Sequence, residues 1–129
     1  MIEASQAPKN SKVVILGLTF KENCPDARNS KVADIIARLG EYGIKPEVVD
    51  PWADPEVAKH EYGVDLMRLE DVHDADCVIV AVAHNEFKDM GLSGVMDLFG
   101  VKEQKVLIDV KGLYSIDGLR ASDILWWRL

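Results

Sequence analysis

The sequence lacks several features that would by themselves identify a function. It has only two cysteines in 129 residues, Cys24 and Cys77, so neither a disulfide framework nor a cysteine metal site is predicted. It has no apolar segment long enough to span a membrane and no apolar stretch near its start that would act as a signal peptide. Because Cys77 lies inside an apolar run, we predict a buried, reduced thiol and therefore a cytoplasmic protein without a metal or a membrane partner.

Positively charged residues are outnumbered by negatively charged ones. The formal net charge is −7 and the isoelectric point is about 4.9. A protein that binds a nucleic acid duplex needs a basic face, so no nucleic-acid partner is expected. A local pocket of a few cations for a phosphate group is still compatible with this charge balance. The length and the 48% share of hydrophobic residues fit one soluble globular domain.

Glycine is missing where a nucleotide-binding turn would need it most. The apolar run Val13–Leu16 is followed by Gly17, and the next glycine is Gly40. A dinucleotide-binding turn carries G-x-G-x-x-G at this point, because glycine lets the backbone approach the pyrophosphate closely. The sequence therefore predicts no NAD cradle in this chain.

What the sequence does contain is a regular alternation of apolar runs and helical patterns. Short β-branched runs, typical of strands buried on both faces, occur at 13–16, 77–82 and 106–110, with a weaker run at 47–50. The helical patterns between them are an apolar face in 32–39, a capped start at 54–56, a short turn at 69–72 and a helix at 93–99. This order predicts a single α/β domain with an open, doubly wound, mostly parallel sheet and helices on both faces.

The residues that follow each strand are the candidates for a site, because ligands of such sheets bind at the carboxyl ends of the strands. Lys21 and Lys111 follow the first and last predicted strands and would converge on one edge, where they could hold a phosphate. Phe20 could cover a base or sugar beside them, although a core role for Phe20 and a solvated Lys21 are also open. Arg28 precedes a predicted helix, where a cation is unhelpful to the dipole, so it serves either an anion or a neighbouring acidic side chain.

Polar residues after the second and third strands admit a catalytic or a structural interpretation. Asp50 lies 33 residues beyond Gly17, further than the ribose-binding acid of a dinucleotide fold, so a turn of Asp50 with Pro51 is favoured. His84 and Glu86 could act as acid and base, but no nucleophile accompanies them, which favours turn and capping roles. No catalytic residue is predicted in the chain.

Four stretches of the sequence, taken in order, resemble one known family. They are GLTFKENCPDARNSKVADII, VVDPWADPEVAKHEYG, AVAHNEFK and LIDVKGLY. Together they are similar to the C-terminal, UDP-binding domain of the UDP-glucose/GDP-mannose dehydrogenase family, and most similar to bacterial UDP-N-acetyl-hexosamine 6-dehydrogenases of the GalNAc or ManNAc type. The resemblance covers residues 12–129 and leaves 1–11 as a leader or linker.

The resemblance implies a part in oxidising the C6 alcohol of a UDP-sugar to a carboxylate, in two NAD-dependent steps, for polysaccharide synthesis. In this family an N-terminal domain holds NAD and the catalytic cysteine, and a central helical region forms the homo-oligomer. Neither Cys24 nor Cys77 matches that cysteine. The chain therefore resembles an excised domain that is expected to be inactive alone.

The resemblance also implies roles for single residues. Phe20 and Lys21 match the family's Phe-Lys pair at the UDP-sugar, and Lys111 matches a basic position near the UDP group. Arg28 matches an arginine directed at the NAD of the other domain. Two alternatives stay open: a stand-alone module that binds a nucleotide or an acyl carrier, and an α/β domain that only mediates interactions.

Overall fold

The computed structural model describes residues 12–19, 31–100, 105–122 and 124–128. Its strands are β1 Val13–Leu16, β2 Glu47–Val49, β3 Leu66–Met67, β4 Cys77–Val80, β5 Val106–Asp109 and β6 Leu125–Arg128. Its helices are α1 Val32–Glu41, α2 Pro55–Tyr62, α3 Asn85–Phe99 and α4 Ile116–Ala121, and a 3-10 turn covers Leu69–Asp71. The predicted alternation of strands and helices is confirmed.

The strands form one six-stranded sheet in the order β3-β2-β1-β4-β5-β6. Every neighbouring pair is parallel, and Ile15 of β1 lies between Val48 of β2 and Ile79 of β4. The chain moves outward in one direction from β1 and in the other from β4, so the early and late helices cover opposite faces. This is the open, doubly wound, parallel sheet that the sequence predicts.

Both faces of the sheet are buried, because successive side chains of a strand point to opposite sides. Ile15 belongs to a cluster that includes Leu39 of α1 and Ala58 of α2. Leu16, the next residue, belongs to a second cluster that includes Phe99 of α3. A central strand covered on both sides requires apolar residues at consecutive positions, which explains the short apolar runs of the sequence.

Helix α2 begins and ends where its sequence signals lie. The Asp54 carboxylate accepts a hydrogen bond from the Glu56 N–H at 2.9 Å, and Pro55 occupies the first turn. Gly63 closes the helix in the left-handed conformation, with φ 67°. Asn29 and Ser30, residues that could cap the start of α1, lie outside the described residues. In the described part of the chain, no helix has the length and apolarity that a bilayer crossing requires.

Several elements of the structure were not predicted from the apolar pattern. Strand β3 has two residues, too few for a period to show. Helix α3 begins at Asn85 and not at 93. Its first half was not predicted because Gly91, with φ 64°, separates it from the second half and interrupts the apolar face. Strand β6 and helix α4 follow the last apolar run, in a segment for which the sequence pattern predicted no element. In β6, Trp126 packs against the core, whereas Leu125 and Trp127 are exposed.

The buried thiol predicted for Cys77 is confirmed. The side chain is enclosed in the core, and burial raises the pKa of Cys77 to about 12. The thiol therefore stays protonated at neutral pH and cannot act as a nucleophile.

Candidate functional site at the carboxyl edge of the sheet

The turn after β1 uses its single glycine for close packing within the protein. Gly17 has φ 106°, and a Cβ built on it would lie 2.6 Å from the Cβ of Val82. Its N–H donates a hydrogen bond to the Val49 carbonyl oxygen at 2.8 Å. Gly17 therefore lets the chain leave β1 between its two neighbouring strands, and it is not the first glycine of a phosphate cradle.

Asp50, the residue directly after β2, organises two backbone segments at once. One carboxylate oxygen accepts the N–H groups of Trp52 and Ala53, at 2.8 and 3.0 Å. These contacts confirm the predicted turn. The other oxygen accepts the N–H groups of Leu18 and Thr19, at 2.6 and 2.9 Å. Asp50 therefore also fixes the path of the chain as it leaves β1, a role that the sequence did not predict.

His84 completes a buried polar cluster with Asp50 and Thr19. Its Nε2 lies 3.0 Å from the Asp50 carboxylate and 3.1 Å from the Thr19 hydroxyl, and the side chains of His84 and Asp50 are fully enclosed. Burial alone would raise the pKa of Asp50, but the hydrogen bonds from His84 and from two backbone N–H groups outweigh it. The pKa of Asp50 therefore lies below its ordinary value.

The capping role predicted for His84 is wrong in one respect. His84 does occupy the position before helix α3, but its side chain makes no capping hydrogen bond to that helix. It points into the sheet edge instead and bridges over the end of β1, because β1 lies between β2 and β4. Both groups follow strand ends that meet at one edge, and this was the sequence signal that could have found the pair.

The Asp50–His84–Thr19 cluster lies at the point of the sheet edge where such folds ordinarily bind ligands. The strand order reverses between β1 and β4, and ligands of doubly wound sheets bind outside the carboxyl ends at that point. Here the three polar side chains are buried there and contact one another. Among the described residues, the polar side chains at this point are therefore occupied with one another.

An exposed pair flanks this cluster. The Trp52 indole N–H donates a hydrogen bond to the Glu86 carboxylate at 2.8 Å. The Trp52 ring also stacks on the His84 ring, with centroids 6.3 Å apart and planes inclined by 28°. Glu86 therefore accepts a hydrogen bond from a neighbouring loop, and it is placed to hold Trp52 over the buried histidine.

A second buried aspartate closes β5. Asp109 is fully enclosed, and its two carboxylate oxygens accept the N–H groups of Leu113 and Tyr114, each at 2.9 Å. The loop between β5 and α4 folds around these bonds and carries Lys111, whose side chain is exposed. Lys111 therefore lies at the carboxyl edge, as the sequence predicts, and its role in binding a phosphate stays a prediction.

The other three predicted site residues, Phe20, Lys21 and Arg28, lie outside the described residues. Thr19, which Asp50 fixes, is the residue immediately before Phe20 in the chain. Their assignment to the UDP group and to NAD stays a prediction.

A surface cleft of about 630 Å³ lies beyond the ends of β2 and β3. Apolar residues such as Leu66 and Met67 line it, together with Arg68 and the carboxylates of Glu70 and Glu86. Arg68 is already within 3.5 Å of Glu70. One cation among several carboxylates disfavours a diphosphate, so the cleft is a poor candidate for the predicted ligand. Within 12–19, 31–100 and the later described ranges, no group of three metal-ligating side chains occurs.

Comparison with known proteins gives one consistent result. The model of the UDP-glucose/GDP-mannose dehydrogenase family, UDP binding domain, matches residues 14–116. A UDP-N-acetyl-D-glucosamine 6-dehydrogenase of Pseudomonas aeruginosa is 47% identical over 107 residues, 83% of this chain and 25% of that protein. A protein of the same name from Salmonella typhi is 43% identical over 112 residues, 86% of this chain and 26% of that protein. The chain thus spans about a quarter of the length of these curated relatives.

Solved structures support the same fold. A crystal structure of an NDP-N-acetyl-D-galactosaminuronic acid dehydrogenase from Methanosarcina mazei Go1 superimposes with a TM-score of 0.82. The match covers 98% of this chain and 27% of that one at 21% sequence identity, so it bears on the fold alone.

Proposed function

Because the chain belongs to the UDP-glucose/GDP-mannose dehydrogenase family, we propose that it binds the UDP group for an NAD-dependent UDP-sugar 6-dehydrogenase. In this proposal residues 12–129 form the UDP-binding domain and 1–11 link it to the rest of the enzyme. The observation that carries the proposal is the match of the UDP-binding family model across 14–116, on a fold whose carboxyl edge presents Lys111.

The chemistry of the edge supports a diphosphate ligand. Lys111 is an exposed cation on a loop that a buried carboxylate holds in place. Lys21 follows β1 by five residues and is proposed to supply a second cation, with Phe20 beside it against the uridine or sugar. Two local cations are enough to bind a diphosphate in a protein whose net charge is negative.

The oxidation itself is proposed to take place outside this chain. The buried Cys77 thiol, whose pKa is raised to about 12, cannot serve as the catalytic nucleophile. NAD supplies the hydride acceptor when it is bound, and we place it on another domain of a cytoplasmic homo-oligomer, with Arg28 facing it. The domain alone is therefore expected to bind UDP and not to turn over a UDP-sugar.

The test is an NMR titration of the domain with UDP, following the backbone amides of residues 17–29 and 109–114. Saturable shifts confined to these two segments are expected, with a Kd of about 1 mM for half of a binding site. The absence of shifts up to about 10 mM UDP would contradict UDP binding by this domain. A matched titration with GDP separates recognition of uridine from recognition of the diphosphate.

Substitution of Lys111 sharpens this test. Lys111→Ala is expected to weaken UDP binding about tenfold, since one charge-assisted hydrogen bond contributes roughly 1.5 kcal/mol. Lys45→Ala is the matched control, because Lys45 is also exposed but precedes β2 and so lies at the opposite edge of the sheet. Equal affinities for the two variants would remove Lys111 from the site.

A further inference from the structure

The loop between β5 and α4 is held at both of its ends. At the start, the Val110 N–H donates a hydrogen bond to the Val80 carbonyl oxygen of β4, at 3.0 Å. At the other end, the Asp109 carboxylate accepts the N–H groups of Leu113 and Tyr114. The Asp109 carboxylate, at the start of the loop, thus binds the backbone at its far end. Two residues, 111–112, form the short bridge between the fixed points at 110 and 113.

Tyr114 attaches the same loop to helix α3. Its hydroxyl donates a hydrogen bond to the Phe87 carbonyl oxygen at 3.0 Å, and the side chain is buried. Burial and the nearby Asp109 carboxylate raise the pKa of Tyr114 above its ordinary value, so the hydroxyl remains a donor at neutral pH. The loop is therefore fixed to the sheet by a carboxylate and to a helix by a phenol.

The bridge between the fixed points turns sharply and carries the only lysine of the loop. Gly112 has φ 65°, a left-handed conformation that glycine adopts without strain, and its N–H lies 3.4 Å from the Asp109 carbonyl oxygen. Lys111 stands at the tip, exposed, while Asp109 beneath it is fully enclosed. The buried carboxylate is out of reach of a ligand at the surface, so it can influence binding only through the loop.

We propose that Asp109 and Tyr114 are positioning residues, which hold the β5–α4 loop so that Lys111 meets the diphosphate of UDP. The inference rests on the proposed function, since it assigns Lys111 to the UDP group. A lysine has a long flexible side chain, and its contribution to binding depends on how narrowly its backbone is placed. Fixing the backbone on both sides of Lys111 lowers the entropy that would otherwise be lost when UDP binds.

The experiment is a double-mutant cycle on UDP affinity, with Asp109→Asn, Lys111→Ala and the double variant measured by NMR titration. Asparagine keeps the shape of the side chain but turns an amide NH₂ toward one of the two N–H donors, so one of the two hydrogen bonds that fix this end of the loop is lost. We expect Asp109→Asn to weaken UDP binding about fivefold when Lys111 is present, and to have no further effect in the Lys111→Ala background.

A control variant separates positioning from general loss of stability. Ser115→Ala removes the side-chain oxygen that accepts the Gly118 N–H at the start of α4, at 3.0 Å, and leaves both Asp109 contacts intact. It should lower the unfolding free energy without changing UDP affinity. Equal losses of affinity from Asp109→Asn in the two backgrounds, or no loss in a folded variant, would overturn the positioning role.

The outcomes also distinguish this inference from the function beneath it. If Lys111→Ala leaves UDP affinity unchanged, the proposed role of Lys111 fails and the positioning role fails with it. If Lys111→Ala weakens binding but Asp109→Asn does not, only the positioning role fails. If Asp109→Asn does not fold, Tyr114→Phe replaces it in the cycle. This variant removes the hydrogen bond to the Phe87 carbonyl oxygen and keeps the backbone N–H that Asp109 accepts. Losses of UDP affinity that are additive with Lys111→Ala would then overturn the inference.

Discussion

Strand β5 ends in a buried aspartate and strand β2 is directly followed by one, and the comparison of these two strand ends shows how one chemical group serves two purposes. Asp50 accepts four backbone N–H groups and also contacts the buried His84. Asp109 accepts two N–H groups from one loop, and that loop carries the exposed Lys111. The first aspartate holds a buried polar cluster at the sheet edge, and in our proposal the second positions a cation at its surface.

The two strand ends differ in which polar groups remain available to a ligand at this edge of the sheet. Around Asp50 the polar groups of three strand ends contact one another and are enclosed, so that end has little polar capacity left for a ligand. Around Asp109 several N–H groups of the loop backbone are likewise occupied, but the lysine side chain remains at the surface. In our proposal, a buried carboxylate therefore stabilises the fold at one end and prepares a binding surface at the other.

The largest expected effect is on stability, and it separates the two aspartates. Asp50→Asn replaces one carboxylate oxygen with an amide NH₂ and removes the charge beside the buried His84, so two of the four N–H donors lose their acceptor and we expect a loss of about 3 kcal/mol or more in unfolding free energy. Asp109→Asn disturbs one of two hydrogen bonds and should cost about 2 kcal/mol. Urea unfolding at neutral pH measures both. Equal losses would mean that the His84 contact adds nothing to the Asp50 end.

A second difference appears when the pH is lowered. The pKa of Asp50 is lower in the folded protein than its ordinary value of 3.8, so its ionised form stabilises the fold in full above about pH 4. This stabilisation is lost as the pH falls through the folded-state pKa, because the unfolded chain takes up the proton first. The gap in unfolding free energy between the native chain and Asp50→Asn should therefore narrow below about pH 4.

Unfolding curves at several pH values check this expectation. A gap that stays constant from neutral pH into the acid range would show that the charge of Asp50 is unimportant. In that case its shape and hydrogen bonds alone would account for the difference between the two strand ends.

Most of the fold could be predicted from the sequence, because a strand that is buried on both faces corresponds to a short apolar run. The signals of α2, Asp54 and Gly63, were equally direct, since capping is a local matter. Lys111 could be placed at the carboxyl edge because it follows an apolar run. Local patterns do not reveal β6, in which one tryptophan packs against the core and the next is exposed.

The buried contacts of the site were harder to predict, because they join residues distant in sequence. Asp50 and His84 are 34 positions apart in the sequence. They meet because β2 and β4, the strands that they follow, lie on either side of β1 and end at the same edge of the sheet. The turn made by Asp50 is local and was predicted, whereas its second pair of N–H donors comes from the end of β1. The partners of a buried polar group depend on topology, so a strand order has to be known before they can be named.

The smallest expected effect concerns the exposed flank of the Asp50 end. Trp52→Phe keeps a ring over His84 but removes the indole N–H that bonds to Glu86, and a bond at the surface contributes about 0.5 kcal/mol or less. Glu86→Gln is the matched control, since its amide oxygen can still accept that bond. Urea unfolding of both variants should give nearly unchanged stability. A loss above about 1.5 kcal/mol for Trp52→Phe alone would show that the surface bond supports the buried pair of Asp50 and His84 beneath it. The stabilising cluster at the Asp50 end would then extend to the surface.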